Sequence, residues 1–236
     1  MHAHDHNDSA APSPAAYWEE RYAAAPVWSG RVNRTLADVL DGLEPAPGTA
    51  LDLGCGEGAD ALWLAERGWR VTAVDIAPSA IARASAAARA AGVDENNLRY
   101  AVVDLDAPGE LEREVGAPVD LVTASFFHSP VELDRITVLR RAARLVAPGG
   151  HLFILTHAAP PAWASGLDHG GHRFLTPDEE FAALGLDASE WTALLTETRA
   201  RAATAPDGTP TELLDGVLLL RRTGQQRRAP RRTGTP

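Results

Sequence analysis

"LDLGCGEGAD", residues 51–60, decides the reading of this chain. Leu51 and Leu53 lead an apolar run into Gly54, Gly56 and Gly58 at alternate positions. Glycines after a strand let a ligand come against the backbone, because no Cβ stands in the way. Yet the loop is acidic: Asp52 precedes it, Glu57 sits inside it and Asp60 follows it. A dinucleotide site has the spacing G-x-G-x-x-G with a pyrophosphate on the following helix. Here the spacing is G-x-G-x-G, and Glu57 would repel a pyrophosphate. A tight turn without a ligand explains one glycine easily and three poorly. A cofactor that lacks phosphate and carries a positive group resolves the conflict.

Outward from the loop, strand and helix signals alternate. TALDLG (49–54) reads as a buried strand, ADALWLAERG (59–68) as a helix stopped by Gly68, and WRVTAVD (69–75) as a second strand. Pro78 opens a helix that runs to Ala91. LRYAVVDLD (98–106) contains a third strand and VDLVTASFF (119–127) a fourth; 131–146 is an amphipathic helix, and Pro148-Gly149-Gly150 turns it into a fifth strand at 151–157. Such alternation predicts a parallel sheet covered on both faces. Helices are also predicted at 15–25, at 33–43 and at 176–185, the last with Thr176 as its N-cap. The segments 190–202 and 212–222, joined by the turn PDGTP, read as an antiparallel hairpin.

Composition narrows the function. The 236 residues are 45% hydrophobic with a single cysteine, Cys55, and no membrane-length apolar run, which predicts a soluble cytoplasmic protein. All 22 basic residues are arginine. The lack of lysine excludes a P-loop and a pyridoxal-phosphate Schiff base. A formal charge of −10 argues against nucleic acid. Residues 1–14 and the arginine-rich stretch 224–236 read as disordered tails around one domain at 15–223. His2, His4 and His6 fall in the first tail, and no metal site is expected.

Asp52-Leu53-Gly54-Cys55-Gly56-Glu57-Gly58 resembles the D-x-G-x-G-x-G signature of class I S-adenosylmethionine-dependent methyltransferases. Asp75, at the end of the second strand, matches the carboxylate that accepts both ribose hydroxyls in that family, with Ile76 beside it. Asp104-Leu105 matches its adenine-recognising turn, and "LVAPGGHLFIL" (145–155) its turn before strand five. The resemblance covers about residues 15–222. It implies a Rossmann-like three-layer α/β sandwich, with a seven-stranded, mostly parallel sheet and an antiparallel C-terminal hairpin. It implies S-adenosylmethionine as cofactor and S-adenosylhomocysteine as product, held by Asp52, Gly54, Cys55, Gly56, Gly58, Asp75, Ile76, Asp104, Leu105, Ser125 and Trp28. "YWEERYAAAPVWSGRVN" (17–33) resembles the N-terminal segment of bacterial small-molecule methyltransferases of the tellurite-resistance and thiopurine type, which folds over the cofactor.

The acceptor side is less legible. Tyr17, Trp18, Tyr22, Phe126, Phe127 and Trp163 are the expected substrate-lining residues, with an ordinary hydrophobic seal as the alternative for the N-terminal ones. His128 and His157 follow strands four and five, where parallel sheets place chemistry. They are the candidate general bases, His128 first; His169 and His172 lie in the loop 158–173. "SFFH" at the strand-four end lacks the Asn/Asp-Pro-Pro-aromatic motif of amino and many nucleic-acid methyltransferases. The expected partner is a small-molecule acceptor rather than nucleic acid or membrane, with the protein a monomer or homodimer. Two rivals stay open: a nicotinamide-dependent oxidoreductase on the same fold, and a non-catalytic S-adenosylmethionine-binding protein.

Overall fold

The computed structural model describes residues 13–161, 163 and 174–223. The tail 224–236, residues 1–12 with the three alternating histidines, and His169 and His172 lie outside the described residues. Helix α1 (Pro14–Ala23) starts at a proline, with Ser13 accepting the amide proton of Ala16 as its cap. Helix α2 is Arg34–Leu43. Strand β1 (Thr49–Leu53), helix α3 (Ala59–Glu66), strand β2 (Arg70–Asp75), helix α4 (Pro78–Ala90) and strand β3 (Leu98–Val102) follow. Helix α5 is Glu110–Val115, strand β4 Val119–Ser125, helix α6 Arg135–Leu145 and strand β5 Val146–His157. Helix α7 (Pro177–Leu184) precedes the hairpin of β6 (Trp191–Thr204) and β7 (Pro210–Arg222).

The seven strands form one sheet in the order β3-β2-β1-β4-β5-β7-β6. β1 to β5 pair in parallel; β7 lies antiparallel between β5 and β6. This is the Rossmann-like three-layer arrangement that the sequence implied. Side-chain alternation builds the two covering layers. Leu51, Leu53, Val122, Leu152 and Ile154 pack under α6 and α7, whereas Ala50, Leu121, Phe153 and Leu155 pack under α2 and α3. The spacing of Leu36, Val39 and Leu40 turns one face of α2 onto the second layer, as its periodicity predicted. No helix among the described residues is long and apolar enough to cross a membrane.

Several boundaries differ from the sequence reading, each for a local reason. α6 starts at Arg135 rather than 131, because the Asp134 carboxylate accepts the amide proton of Thr137 and caps the helix there. β5 begins at Val146, five residues early: Pro148-Gly149-Gly150 stays in the strand through a register shift against β4, with Gly149 at φ +88°. α5 was not anticipated; Gly109 and Gly116, both left-handed, bracket it. Thr176 caps α7 as expected, in a reciprocal capping box with Glu179.

Candidate functional site

The glycine loop lies at the carboxyl end of β1, between β2 and β4. Gly54, Gly56 and Gly58 all have positive φ. A Cβ on Gly54 would stand 2.6 Å from the Phe127 ring, one on Gly56 2.9 Å from the Tyr22 hydroxyl, and one on Gly58 2.5 Å from the Tyr100 hydroxyl. A side chain at any of the three is therefore both crowded and conformationally strained. Three loop amides are spent inside the chain. Cys55 N–H donates to Val74 O (3.0 Å), Gly56 N–H to Asp75 Oδ2 (2.9 Å) and Gly58 N–H to Cys55 O (2.9 Å). Burial pushes the Cys55 thiol well up, with the Asp75 and Asp52 charges adding to it, so the thiol stays protonated.

The acids around the loop brace it. Asp52, buried in the sheet, accepts from Thr123 Oγ1 on β4 (2.7 Å); burial, with Asp60 nearby, raises its pKa well above the carboxylate norm. Asp60 accepts from Asn33 N (2.7 Å) and Nδ2 (2.8 Å), tying α3 to the start of α2. Glu57 accepts from Val27 N (3.1 Å) and Trp28 N (2.9 Å) and pairs with Arg83 (3.0 Å). The charge attraction that the sequence suggested thus has a second use: three of these side chains fasten neighbouring segments to the loop. Asp75 is 7% exposed, with one oxygen on Gly56 N and the other on Ala77 N, both at 2.9 Å. Ile76 beside it is half-buried.

The N-terminal segment closes over this cradle. Trp28 Nε1 donates to Tyr22 Oη (2.9 Å), and both rings stand over Gly56. Burial raises the Tyr22 phenol to about 12, so it stays a neutral donor and acceptor. Trp18 stacks on Tyr22 at 6.0 Å between ring centroids, and Tyr17 meets Trp18 edge-on at 5.4 Å. Trp18 Nε1 reaches Ser129 Oγ (3.2 Å) and Glu19 binds Ser79 at the start of α4, so α1 bridges the ends of β2 and β4. Arg83, Glu19 and Ser129 were not singled out from sequence.

Beyond β3, Asp104 is exposed and Leu105 buried. Arg141 on α6 donates to Leu105 O (2.7 Å) and Ala107 O (3.2 Å) and holds this turn in place. At the end of β4, Ser125 Oγ is buried with no hydrogen-bond partner among the described residues. Phe126 follows at φ +50°, a left-handed conformation that turns the chain sharply after the strand. Its ring stacks on His157 at 4.4 Å, and the His128 and His157 rings lie 6.2 Å apart. Both candidate bases thus share one corner with Phe126. Trp163 is exposed and beside undescribed residues. Sequence reasoning missed the other half of this corner. Asp215 on β7, fully buried, lies 3.8 Å from His157 Nδ1 and accepts from Arg201 Nε (2.6 Å) and Nη2 (3.2 Å). A carboxylate inside "LLDGVLLL" was the available signal. Burial opposes its ionisation, but His157 and Arg201 outweigh that and hold its pKa below the usual range.

Residues 50–150 match the family described as a methyltransferase domain. Over these residues the chain is similar to class I S-adenosylmethionine-dependent methyltransferases. The cofactor of such a domain is S-adenosylmethionine. The 2-heptyl-1-hydroxyquinolin-4(1H)-one methyltransferase of Mycobacteroides abscessus is 35% identical over 148 residues, 60% of this chain and 62% of that protein. The tRNA 5-carboxymethoxyuridine methyltransferase of Escherichia coli K12 is 35% identical over 123 residues, 51% of this chain. The chain spans 62% and 44% of the length of these two curated relatives. TehB from Haemophilus influenzae shares the fold, with a TM-score of 0.59 at 18% identity over 88% of this chain and 66% of that one. The residues fit S-adenosylmethionine by their own chemistry: three crowded positive-φ glycines, a buried carboxylate with acceptor capacity left, a buried Ser125 hydroxyl with no partner among the described residues, and no lysine to meet a phosphate.

Proposed function

We propose that the protein transfers the methyl group of S-adenosylmethionine to an oxygen, nitrogen, sulfur or chalcogen atom of a small, planar acceptor. One observation carries this reading. The amides of Cys55, Gly56 and Gly58 are already bonded within the chain, whereas the amides of Gly56, Ala77 and Ile76 that face Asp75 do not fill the acceptor capacity of its two oxygens. A pyrophosphate needs the amides; a ribose needs the carboxylate. That disfavours a nicotinamide dinucleotide. Asp75 and Ile76 would hold the ribose, the Asp104–Leu105 turn the adenine, and the loop with Ser125 and Trp28 the amino-acid end. When bound, the cofactor supplies an electrophilic methyl carbon on a sulfonium. The chain's task is to place the acceptor in line with it and to keep water out. Trp18, Phe126 and Phe127 offer apolar walls, and an imidazole at the corner takes the acceptor's proton.

A small acceptor is supported by the net charge of −10, which repels a phosphate backbone, and by the hydroxyquinolone substrate in the relative's name. The tRNA enzyme among the relatives makes RNA the competing acceptor. Thermal-shift measurements with S-adenosylhomocysteine, NAD and NADP test the cofactor: at ligand near 100 Kd, binding adds about 2.7 kcal/mol of stability. A shift with NAD and none with S-adenosylhomocysteine overturns the reading. Transfer from methyl-labelled cofactor, offered separately to 2-heptyl-1-hydroxyquinolin-4(1H)-one and to bulk tRNA, separates the acceptors.

A further inference from the structure

Four side chains from four strands or strand ends close a ring of contacts. Arg201 (β6) pairs with Asp215 (β7); Asp215 faces His157 (β5) at 3.8 Å; His157 stacks on Phe126 (after β4) at 4.4 Å; and the Arg201 guanidinium carbon lies 5.7 Å from the Phe126 centroid. Asp215 and His157 are direct partners in the β5–β7 ladder, so backbone register sets their approach. Asp215 is fully buried while the His157 side chain is 40% exposed. Nδ1 is the nitrogen turned to the carboxylate; Nε2 is therefore on the other edge of the ring. Among the described residues the further charged or titratable neighbours are His128, whose ring lies 6.2 Å away, and Arg199, which stands opposite Asp215 in the β6–β7 ladder and is paired with Glu197.

We infer that Asp215 and Arg201 are positioning residues that hold His157 with its proton on Nδ1 and its Nε2 lone pair free, making His157 rather than His128 the base for an acceptor that must lose a proton. This rests on the methyl-transfer reading and narrows its substrate class to hydroxyl or N-hydroxyl acceptors over chalcogen anions, which need no base. As the acceptor oxygen forms its bond to the methyl carbon, the carbon–sulfur bond breaks with its electron pair left on sulfur. The hydroxyl proton goes to Nε2. The resulting imidazolium faces the ionised Asp215, which Arg201 keeps charged despite its burial. A hairpin clamp with no tie to His157 is the competing account of the Arg201–Asp215 pair.

The two accounts differ in the tautomer of His157. Arg201 only donates, so Asp215→Asn must turn its amide oxygen to Arg201 and its amide nitrogen to His157. That demands a lone pair on Nδ1 and moves the proton to Nε2, the edge where the base must be empty. Long-range proton–nitrogen correlation spectra of the whole chain at pH 8, with His157 assigned by its loss in His157→Gln, should show Nδ1–H in the wild type and Nε2–H in Asp215→Asn. If that variant does not fold, Asp215→Leu with Arg201→Met removes both charges together, which spares the core an unpaired ion, and should also show Nε2–H. Nε2–H in the wild type, or Nδ1–H retained in a folded variant, overturns the proposal. With 2-heptyl-1-hydroxyquinolin-4(1H)-one as acceptor, Asp215→Asn should lower kcat by roughly 100-fold or more, with S-adenosylhomocysteine affinity unchanged. No binding of S-adenosylhomocysteine by the wild type would instead sink the methyl-transfer reading, and the spectra would still decide the role of Asp215.

Discussion

Asp75, the last residue of β2, accepts the amide proton of Gly56 at 2.9 Å and so fixes the loop that follows β1. Its other oxygen takes the Ala77 amide at the mouth of α4. One carboxylate therefore couples two strand ends before any ligand arrives.

Substitution of Asp75 should cost both stability and affinity. Asp75→Ala leaves two buried amides without acceptors, at about 1–3 kcal/mol each. At roughly 2–4 °C per kcal/mol for a domain of this size, Tm should drop by about 4–24 °C. S-adenosylhomocysteine should bind about 10- to 100-fold more weakly, the loss of one or two hydrogen bonds to a charged group. Asp75→Asn should fall between, because its amide nitrogen meets a donor. Calorimetric titration and melting on the same samples read both effects; unchanged affinity in a folded Asp75→Ala would remove the ribose assignment.

Glu57→Ala should free the N-terminal segment. Its carboxylate takes the amides of Val27 and Trp28 and pairs with Arg83. Hydrogen exchange at those two amides should accelerate by roughly tenfold or more, while the β1 and β4 amides keep their protection. Trp28 and Tyr22 stand over Gly56, so a ligand seated against that glycine displaces them. Tryptophan fluorescence should then change on addition of S-adenosylhomocysteine, and Trp28→Phe should remove most of the change. A signal identical in the variant would place the reporter elsewhere.

Strand–helix alternation made the sheet legible, because hydrophobic runs and glycine stops are local properties. The glycine loop and Asp75 were legible for the same reason: each sits at a strand end. What sequence could not reveal is where side chains meet across the ladder. Asp215 reads as a polar interruption of a leucine run until β7 is laid antiparallel beside β5. Glu57 likewise reads as cofactor attraction until residues 27 and 28 are brought against it. Residues 131–134 and 146–150 were misassigned because a single carboxylate cap and a glycine bulge override periodicity.

Gly58 and Gly92 form a controlled pair. Both have positive φ, at +81° and +73°, but a Cβ on Gly58 meets the Tyr100 hydroxyl at 2.5 Å and Ala84 Cβ at 2.7 Å, whereas Gly92 opens onto empty space. Gly92→Ala should cost about 1 kcal/mol, the conformational penalty alone. Gly58→Ala adds overpacking of about 1–3 kcal/mol. Urea unfolding of both variants isolates the packing component; equal losses would mean the helix-side contact relaxes freely.

Acid should loosen the turn at Leu105. Arg141 accounts for most of the depression of the Glu112 pKa from 4.5 to about 2, and the same guanidinium holds Leu105 O. A folded-state value below the unfolded one stabilises fully above about pH 4.5 and is lost as pH falls toward 2. The Glu112 side chain is 41% exposed, so solvent screening keeps the contribution under about 1 kcal/mol. Wild type should melt a few degrees above Glu112→Gln at pH 6, with the gap narrowing below about pH 4.5 and closing toward about pH 2. A gap independent of pH would show that the pair is not responsible.

Because β7 is inserted between β5 and β6, β5 cannot acquire its second neighbour until residues 210–222 have been made. During synthesis, a strand with five consecutive buried residues, 152–156, therefore emerges with a bare edge, and edges of that kind recruit other chains. Protein made without those last residues should be found with chaperones or in inclusion bodies, even though the whole glycine loop lies upstream of the missing strand.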